Sequence, residues 1–265
     1  FISWNEKHPY GMVSQNIGDV YNLPSFYEYQ LYCKNLHSPI TKAISETKKK
    51  LQLQEYTDYF KTIENCPEKY GVFETTDAFV FAIDPDGCLD RDDALSIQWK
   101  EQECHVTVYI SNVWVWLEVL DLWDSIGSRV STIYFPTFKR PMLPTSIGET
   151  LCSLDENKDR FVFAMDFVYS FDDNKYTLIN TPIIKQMKIK VSKSYVYEEK
   201  ALLKNKNYGH LLNITKTLTS IENSHDVVAY WMMQMNTHTA KMLKTQRIGI
   251  FRTVKGLNIS PAQSS

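Results

Sequence analysis

With 265 residues the chain is long enough to bury a substantial hydrophobic core, as one large domain or two modest ones. Hydrophobic residues make up 43% and charged residues 23%, a folded globular composition that excludes a disordered chain. The net charge of −2, from 29 basic and 31 acidic residues, excludes the strongly basic balance of many nucleic-acid binders but leaves room for local positive charge in a cleft.

Residues 1–23 read as strand fragments around a Pro9-Tyr10-Gly11 turn. Residues 24–68 read as mostly helical, with Ile40, Ile44, Leu51, Tyr59 and Ile63 recurring loosely at helical spacing. The character changes at Asp77. Ala78 to Ile83 is an unbroken apolar run that suits a buried strand ending at Asp84, where Pro85, Asp86 and Gly87 break it. Ala94–Trp99 and His105–Val113 predict the next two strands, and Leu117–Arg129 a helix. Phe161–Tyr169 and Tyr176–Ile184 predict a strand pair around Asp172-Asp173-Asn174. A last helix is expected at 225–245, where Val228, Met232, Met235, Thr239 and Met242 fall on one face. The predicted class is α+β, with mixed, largely antiparallel sheets and flanking helices.

The five cysteines include no C-x-x-C pair, which argues against the usual zinc spacings and a disulfide framework and points to a reducing, intracellular compartment. No apolar run reaches membrane-spanning length, so no membrane partner is expected. Both ends read as cut from something longer. Lys48-Lys49-Lys50 reads as a solvated helix face.

The stretch Phe81–Leu95, FAIDPDGCLDRDDAL, carries five Asp within ten positions at the end of an apolar strand. Two carboxylates about 5 Å apart, in an effective dielectric near 20, repel by roughly 3 kcal/mol. Such a cluster must face water separately, take up protons or share a cation. Its hard oxygens suit Mg²⁺ or Mn²⁺. Asp90 and Asp92 are two apart, so in extended chain they point the same way, and Asp93 points the other way unless the strand bulges. Two ions held by Asp84, Asp90, Asp92 and Asp93 could activate water for phosphodiester hydrolysis. A helix-loop-helix calcium site fails on register, because the Gly is fourth and Leu95 stands where the bidentate Glu belongs. Physics alone leaves a polar surface loop and a two-metal site both open.

The stretch IDPDGCLDRDDAL resembles the catalytic signature of the RNB (ribonuclease II-like) exoribonucleases, most closely the branch of the exosome catalytic subunit. Asp84, Asp90, Asp92 and Asp93 match the four signature Asp at the family spacing. Further segments follow in order. Arg129 to Pro136 resembles R-x-T-S-V-Y-L-P, Pro141 to Pro144 is PMLP, and Leu151 to Leu154 is LCSL with Asp159-Arg160 after it. Tyr195 to Leu203 resembles a family helix start, Asn236 falls at a family Asn, and Phe251-Arg252 resembles L-L-R. Ile2-Ser3-Trp4, Pro9-Tyr10-Gly11 and Ile17-Gly18-Asp19 resemble the end of a cold-shock barrel.

The resemblance implies a partial RNB fold preceded by the edge of an OB-type barrel: 1–23 as the end of a cold-shock domain, 24–74 as a helical linker, 75–265 as a partial RNB domain. It implies 3′-to-5′ hydrolysis of single-stranded RNA to nucleoside 5′-monophosphates with Mg²⁺ or Mn²⁺ and no small-molecule cofactor. An exosome-like complex is the implied partner assembly. Asp84, Asp90, Asp92 and Asp93 would hold metal, with Asp92 and Asp93 closest to the chemistry, and Tyr134, Arg129 and Asn236 would contact RNA. Tyr134 matches an aromatic that stacks on the terminal base, a sequence-tolerant contact.

The chain also departs from the pattern. Where the family has V-H-I-A-D-V, Tyr109 and Asn112 replace the His and Asp. Ala229 and Tyr230 replace a Glu pair. The segment with the arginine that clamps the scissile phosphate is absent, which removes one stabiliser of developing charge. The chain alone is therefore expected to have little or no nuclease activity. The alternative is a catalytically dead RNB-like protein that binds RNA or scaffolds a complex.

Overall fold

The computed structural model describes residues 8, 11–13, 15–37, 40–53, 56–126, 131–173 and 175–251. Four helices come first: α1 (Leu23–Cys33), α2 (Thr41–Leu53), α3 (Tyr56–Glu64) and α4 (Pro67–Tyr70). Pro24 and Pro67 occupy first-turn positions, where a missing N–H costs nothing. The helical reading of 24–68 is thus met. Strands β1 (Glu74–Thr75), β2 (Phe81–Asp84), β3 (Asp93–Lys100) and β4 (Glu103–Ser111) follow, then helices α5 (Val113–Val119) and α6 (Trp123–Ile126). Next come β5 (Ile133–Tyr134), β6 (Lys139–Arg140) and a π-helical segment (Ser146–Cys152). The remainder is β7 (Asp159–Asp172), β8 (Lys175–Leu178), β9 (Ile184–Lys190), β10 (Lys193–Val196), α7 (Lys200–Leu203), α8 (Lys206–Thr219) and α9 (Ser224–Thr245).

Eight strands form one sheet in the order β1-β9-β7-β4-β3-β2-β10, with β8 beside β7. Only the outer pairs β1/β9 and β10/β2 are parallel among the described residues. Strand alternation sends Phe81, Ile83, Leu95, Ile97, Val106, Val108 and Phe167 to one face. That face is covered by α8 and α9 through Tyr208, Leu211, Ile214, Val228, Trp231 and Met235. The Trp231 indole N–H donates to Thr215 Oγ1 at 2.9 Å, tying the two helices together. The opposite face packs smaller residues, including Ala82, Ala94, Val162 and Ala164. Helices α2 to α6 and the π-helix build a second core around Phe60, Ile63, Trp116, Leu120 and Leu151, which reaches the sheet through Phe161.

The α+β class with helices flanking a mostly antiparallel sheet stands, but the expected OB-barrel edge does not. The large sheet is open, ending in β1 and β10, and no sheet closes into a barrel. Among the described residues no strand precedes Glu74. Side chains there satisfy the backbone locally instead: Gly18 N donates to Asn16 Oδ1 at 2.9 Å and Tyr21 N to Asp19 Oδ1 at 2.8 Å. Such turns compete with ladder pairing. Val13, Val20 and Tyr21 stay exposed, so no buried face rewards a strand. Ile2-Ser3-Trp4 and Pro9-Tyr10 lie outside the described residues.

Other boundaries moved for identifiable reasons. The helix expected at Leu117–Arg129 begins at Val113 because the Asn112 side chain accepts from Val115 N at 3.1 Å. It stops where Asp121 takes φ 48°. The strand expected at Tyr176–Ile184 divides into β8 and β9 around Pro182, which cannot donate to a ladder. The helix start read at Tyr195 begins instead as β10, paired parallel to β2.

Candidate functional site

The acidic loop joins β2 to β3. Asp84 ends β2 and is 9% exposed, and Asp93 opens β3. Between them Cys88 N donates to Pro85 O at 3.2 Å, and Gly87 turns the chain at φ 74°, a conformation glycine adopts without strain. The loop is held from three directions. Tyr197 N, just after β10, donates to Asp84 O at 3.2 Å. Ser111 N donates to Asp92 O at 3.0 Å. Leu154 N donates to Arg91 O at 2.9 Å, and Arg91 N donates back to Ser153 Oγ at 3.2 Å.

Two of the four carboxylates line a cavity that the other two do not, while all four act on one another electrostatically. Asp90 and Asp92 line one cavity of about 330 Å³, as the two-residue spacing predicts, together with Thr132, Met142, Leu143 and Glu149. Asp93 lies instead near Asp84 and the Tyr197 phenol, whose pKa is raised to about 12 by burial and by both carboxylates. Burial raises Asp93 to about 7, with Asp84 and Asp92 adding to the shift. Burial likewise raises Asp84 to about 6, against the pull of Arg91 and a hydrogen bond from Cys88. Asp92 is exposed as a residue, yet protein crowds its carboxyl, and that desolvation followed by Asp90 raises its pKa.

Two cations of the chain answer this charge. Arg91 Nε stands 3.8 Å from Asp84 Oδ2, and Arg91 Nη1 donates to Asp155 Oδ1 at 3.1 Å. Lys139 Nζ donates to Asp90 Oδ2 at 3.1 Å and lies 3.6 Å from Glu149 Oε1. The bond to Asp90 is the main reason its pKa is raised. Among the described residues no three His, Cys, Asp or Glu side chains converge so as to hold a metal ion. The donor chemistry suits Mg²⁺ and the placement does not. Cys88 Sγ lies 3.7 Å from Asp84 Oδ1 and 3.9 Å from Asp90 Oδ1, and Arg91 and Lys139 bring positive charge to Asp84 and Asp90.

The surrounding segments fall around this loop. Pro141 to Leu143 edge the cavity. Leu151 to Leu154 are buried at the end of the π-helix. Arg160 is buried too, rather than a surface ion pair. It donates from Nε to Ser153 O at 2.5 Å and from Nη2 to Thr150 O at 2.9 Å. The β5–β6 hairpin brings Tyr134 opposite Lys139 and leaves the tyrosine 76% exposed. Helix α1 braces that hairpin: Tyr27 lies 4.8 Å from Phe135 between ring centroids, and Glu28 pairs with Arg140. Asn236 is exposed on α9, and Arg129 lies outside the described residues, as does Arg252.

Sequence reasoning passed over Arg91, Lys139, Asp155 and Tyr197. Arg91 was visible inside the acidic run itself. Asp84 is seven residues away, but Ser153 and Asp155, which hold Arg91 in place, lie 62 and 64 residues away.

The RNB domain's sequence profile matches residues 73–249. The chain belongs to the RNB-domain family. Among curated RNB relatives, Exoribonuclease 2 of Psychromonas ingrahamii is 38% identical over 81 residues, covering 30% of this chain and 12% of that protein. The mouse exosome complex exonuclease RRP44 is 26% identical over 163 residues, 60% of this chain and 16% of that one. The chain thus spans only a small part of the relatives it matches. An active-site mutant of the Dss1 exoribonuclease from Candida glabrata superposes with a TM-score of 0.56 at 13% identity, over 66% of this chain and 31% of that one, a likeness of fold. Among the described residues no helix is long and apolar enough to cross a membrane.

Proposed function

We propose that this chain is an RNB-like module that binds single-stranded RNA without cutting it. The carrying observation is the wiring of the acidic signature, in which Asp84 and Asp90 each face a cation of the chain and, among the described residues, no three acidic, His or Cys side chains are grouped to hold a metal ion. RNA as the ligand is supported by family membership and by relatives named as exoribonucleases and ribonuclease R. In this reading the exposed ring of Tyr134 takes a base by stacking. Arg129 and Asn236 are proposed as further RNA contacts on the strength of the family motifs alone. Residues 24–74 would lead as a helical linker into the RNB domain proper. An exosome-like assembly as partner is suggested by the RRP44 relative, although bacterial enzymes match as well. The five free cysteines fit a reducing compartment.

A second reading, 3′-to-5′ hydrolysis to nucleoside 5′-monophosphates with Mg²⁺ or Mn²⁺ at Asp84, Asp90, Asp92 and Asp93, has one observation in its favour. Asp84 Oδ2 is buried without a hydrogen-bond partner, an open position of the kind a cation fills.

One experiment separates the two. Single-stranded RNA labelled at its 3′ end is followed by anisotropy in EDTA, then incubated with Mg²⁺ or Mn²⁺. The binding reading expects retention in EDTA and full-length RNA in both metals. Release of labelled mononucleotide, abolished by Asp92→Asn, would overturn it in favour of hydrolysis.

A further inference from the structure

Arg91 is built into the acidic loop with unusual thoroughness for a loop arginine. Its backbone is clamped on both sides to the segment after the π-helix, through Ser153 Oγ and Leu154 N. Its guanidinium is clamped again by Asp155, 3.1 Å from Nη1. Asp155 is itself fixed by Ser153 Oγ at 2.9 Å and by the buried Arg160, with Nη2 at 3.4 Å. The same hydroxyl therefore holds both the backbone of Arg91 and the carboxylate that aims its side chain.

What this clamp aims at is Asp84. Arg91 Nε and Asp84 Oδ2 are both buried and both lack a hydrogen-bond partner, and they face each other at 3.8 Å. That gap is too short for a water between them and slightly too long for a hydrogen bond. A buried carboxylate without compensating charge is strongly disfavoured, so the guanidinium is its nearest neutraliser. A divalent ion on Asp84 would have to displace that guanidinium or sit beside it against like charge.

We propose that Arg91 is the resident counter-ion of the acidic loop, a positioning residue that keeps divalent metal off Asp84. Asp155 and Ser153 hold it in place, and Lys139 does the same more weakly for Asp90 from an exposed position. This deepens the reading of the chain as a non-cutting RNB module and rests on it. It names the side chain that already stands at the Asp84 carboxylate.

The test counts bound Mn²⁺ directly, by the loss of the free-ion electron paramagnetic resonance signal, for the wild-type chain, Arg91→Met and Arg91→Lys. Methionine keeps much of the length and removes the charge; lysine keeps the charge. Arg91→Met is expected to bind Mn²⁺ on the order of tenfold tighter than wild type. Adding Asp84→Asn should cancel that gain, and Arg91→Lys should stay close to wild type. Equal Mn²⁺ affinity in wild type and Arg91→Met, or a gain that survives Asp84→Asn, overturns the proposal. Should Arg91→Met fail to fold alone, recovery of its circular dichroism in Mn²⁺ supports the proposal and lack of recovery sinks it. RNA anisotropy in EDTA on the same preparations tests the parent reading separately, since loss of RNA binding there leaves the metal comparison intact.

Discussion

Arg160 and Ser153 are joined across seven residues by a charge-assisted bond from the buried guanidinium Nε to the serine carbonyl, 2.5 Å long. This contact fixes the segment from which Ser153, Leu154 and Asp155 reach the acidic loop. The geometry of the loop is therefore set from below by an arginine that acts on it through Ser153 and Asp155.

Replacing Arg160 by Met leaves the carbonyls of Ser153, Thr150 and Asp159 without this donor. It also takes one partner from Asp155. Breaking a buried, fully engaged charge network costs about 3–5 kcal/mol. Urea unfolding of Arg160→Met should show a loss of that size. A shift below about 1 kcal/mol would mean that these bonds are dispensable.

Asp93, raised to about 7, makes stability depend on pH. The unfolded carboxyl titrates near 4. Between about 4 and 7 the folded chain keeps a proton that the unfolded chain has released, so stability falls as pH rises through this window. Asp84, raised to about 6, acts in the same direction. Glu156 and Glu198 are lowered by their hydrogen bonds, so their contribution disappears only at more acid pH. The melting temperature in EDTA should accordingly be higher at pH 5 than at pH 8, and Asp93→Asn should flatten the difference. An unchanged pH slope in Asp93→Asn would refute this assignment.

Tyr134 is exposed, so its removal should leave the fold untouched. If it stacks on a base, Tyr134→Ala weakens binding of single-stranded RNA by about 1–3 kcal/mol, and Tyr134→Trp restores it. Anisotropy titrations at fixed salt read both; equal affinity for wild type and Tyr134→Ala removes this residue from the interface.

Thr215→Val keeps the shape of the α8–α9 contact and deprives the Trp231 indole N–H of its acceptor. An orphaned buried donor costs about 1–3 kcal/mol. The chain should still fold, with a lower urea midpoint, whereas a neutral result would require the indole to find another acceptor.

Much of the framework could be read from residue order. β4 announces itself by near-alternation, β3 and β7 by largely buried apolar runs, and α9 by apolar spacing behind Asn223, whose side chain accepts from Asp226 N. The four carboxylates were legible because so many charges in so short a stretch demand an explanation. Their division was half legible: the shared direction of Asp90 and Asp92 follows from spacing, whereas the counter-charges of Arg91 and Lys139 depend on where the 139–155 segment folds back. Short β10 was hidden, since four residues carry too little pattern to separate a strand from a helix start. Of the opening residues that are described, Val13, Val20 and Tyr21 carry strand-like composition yet stay exposed, so composition misled there.

The pairing of β10 with β2 brings together segments about 110 residues apart, with Val196 in register with Asp84. Contacts so distant along the chain close late, because the loop entropy must be overcome first. The Asp84 carbonyl receives its N–H from Tyr197 only once that edge strand docks. A nascent polypeptide would thus carry every signature aspartate long before it could hold them in their final arrangement, and the acidic turn would be among the last parts of the sheet to mature.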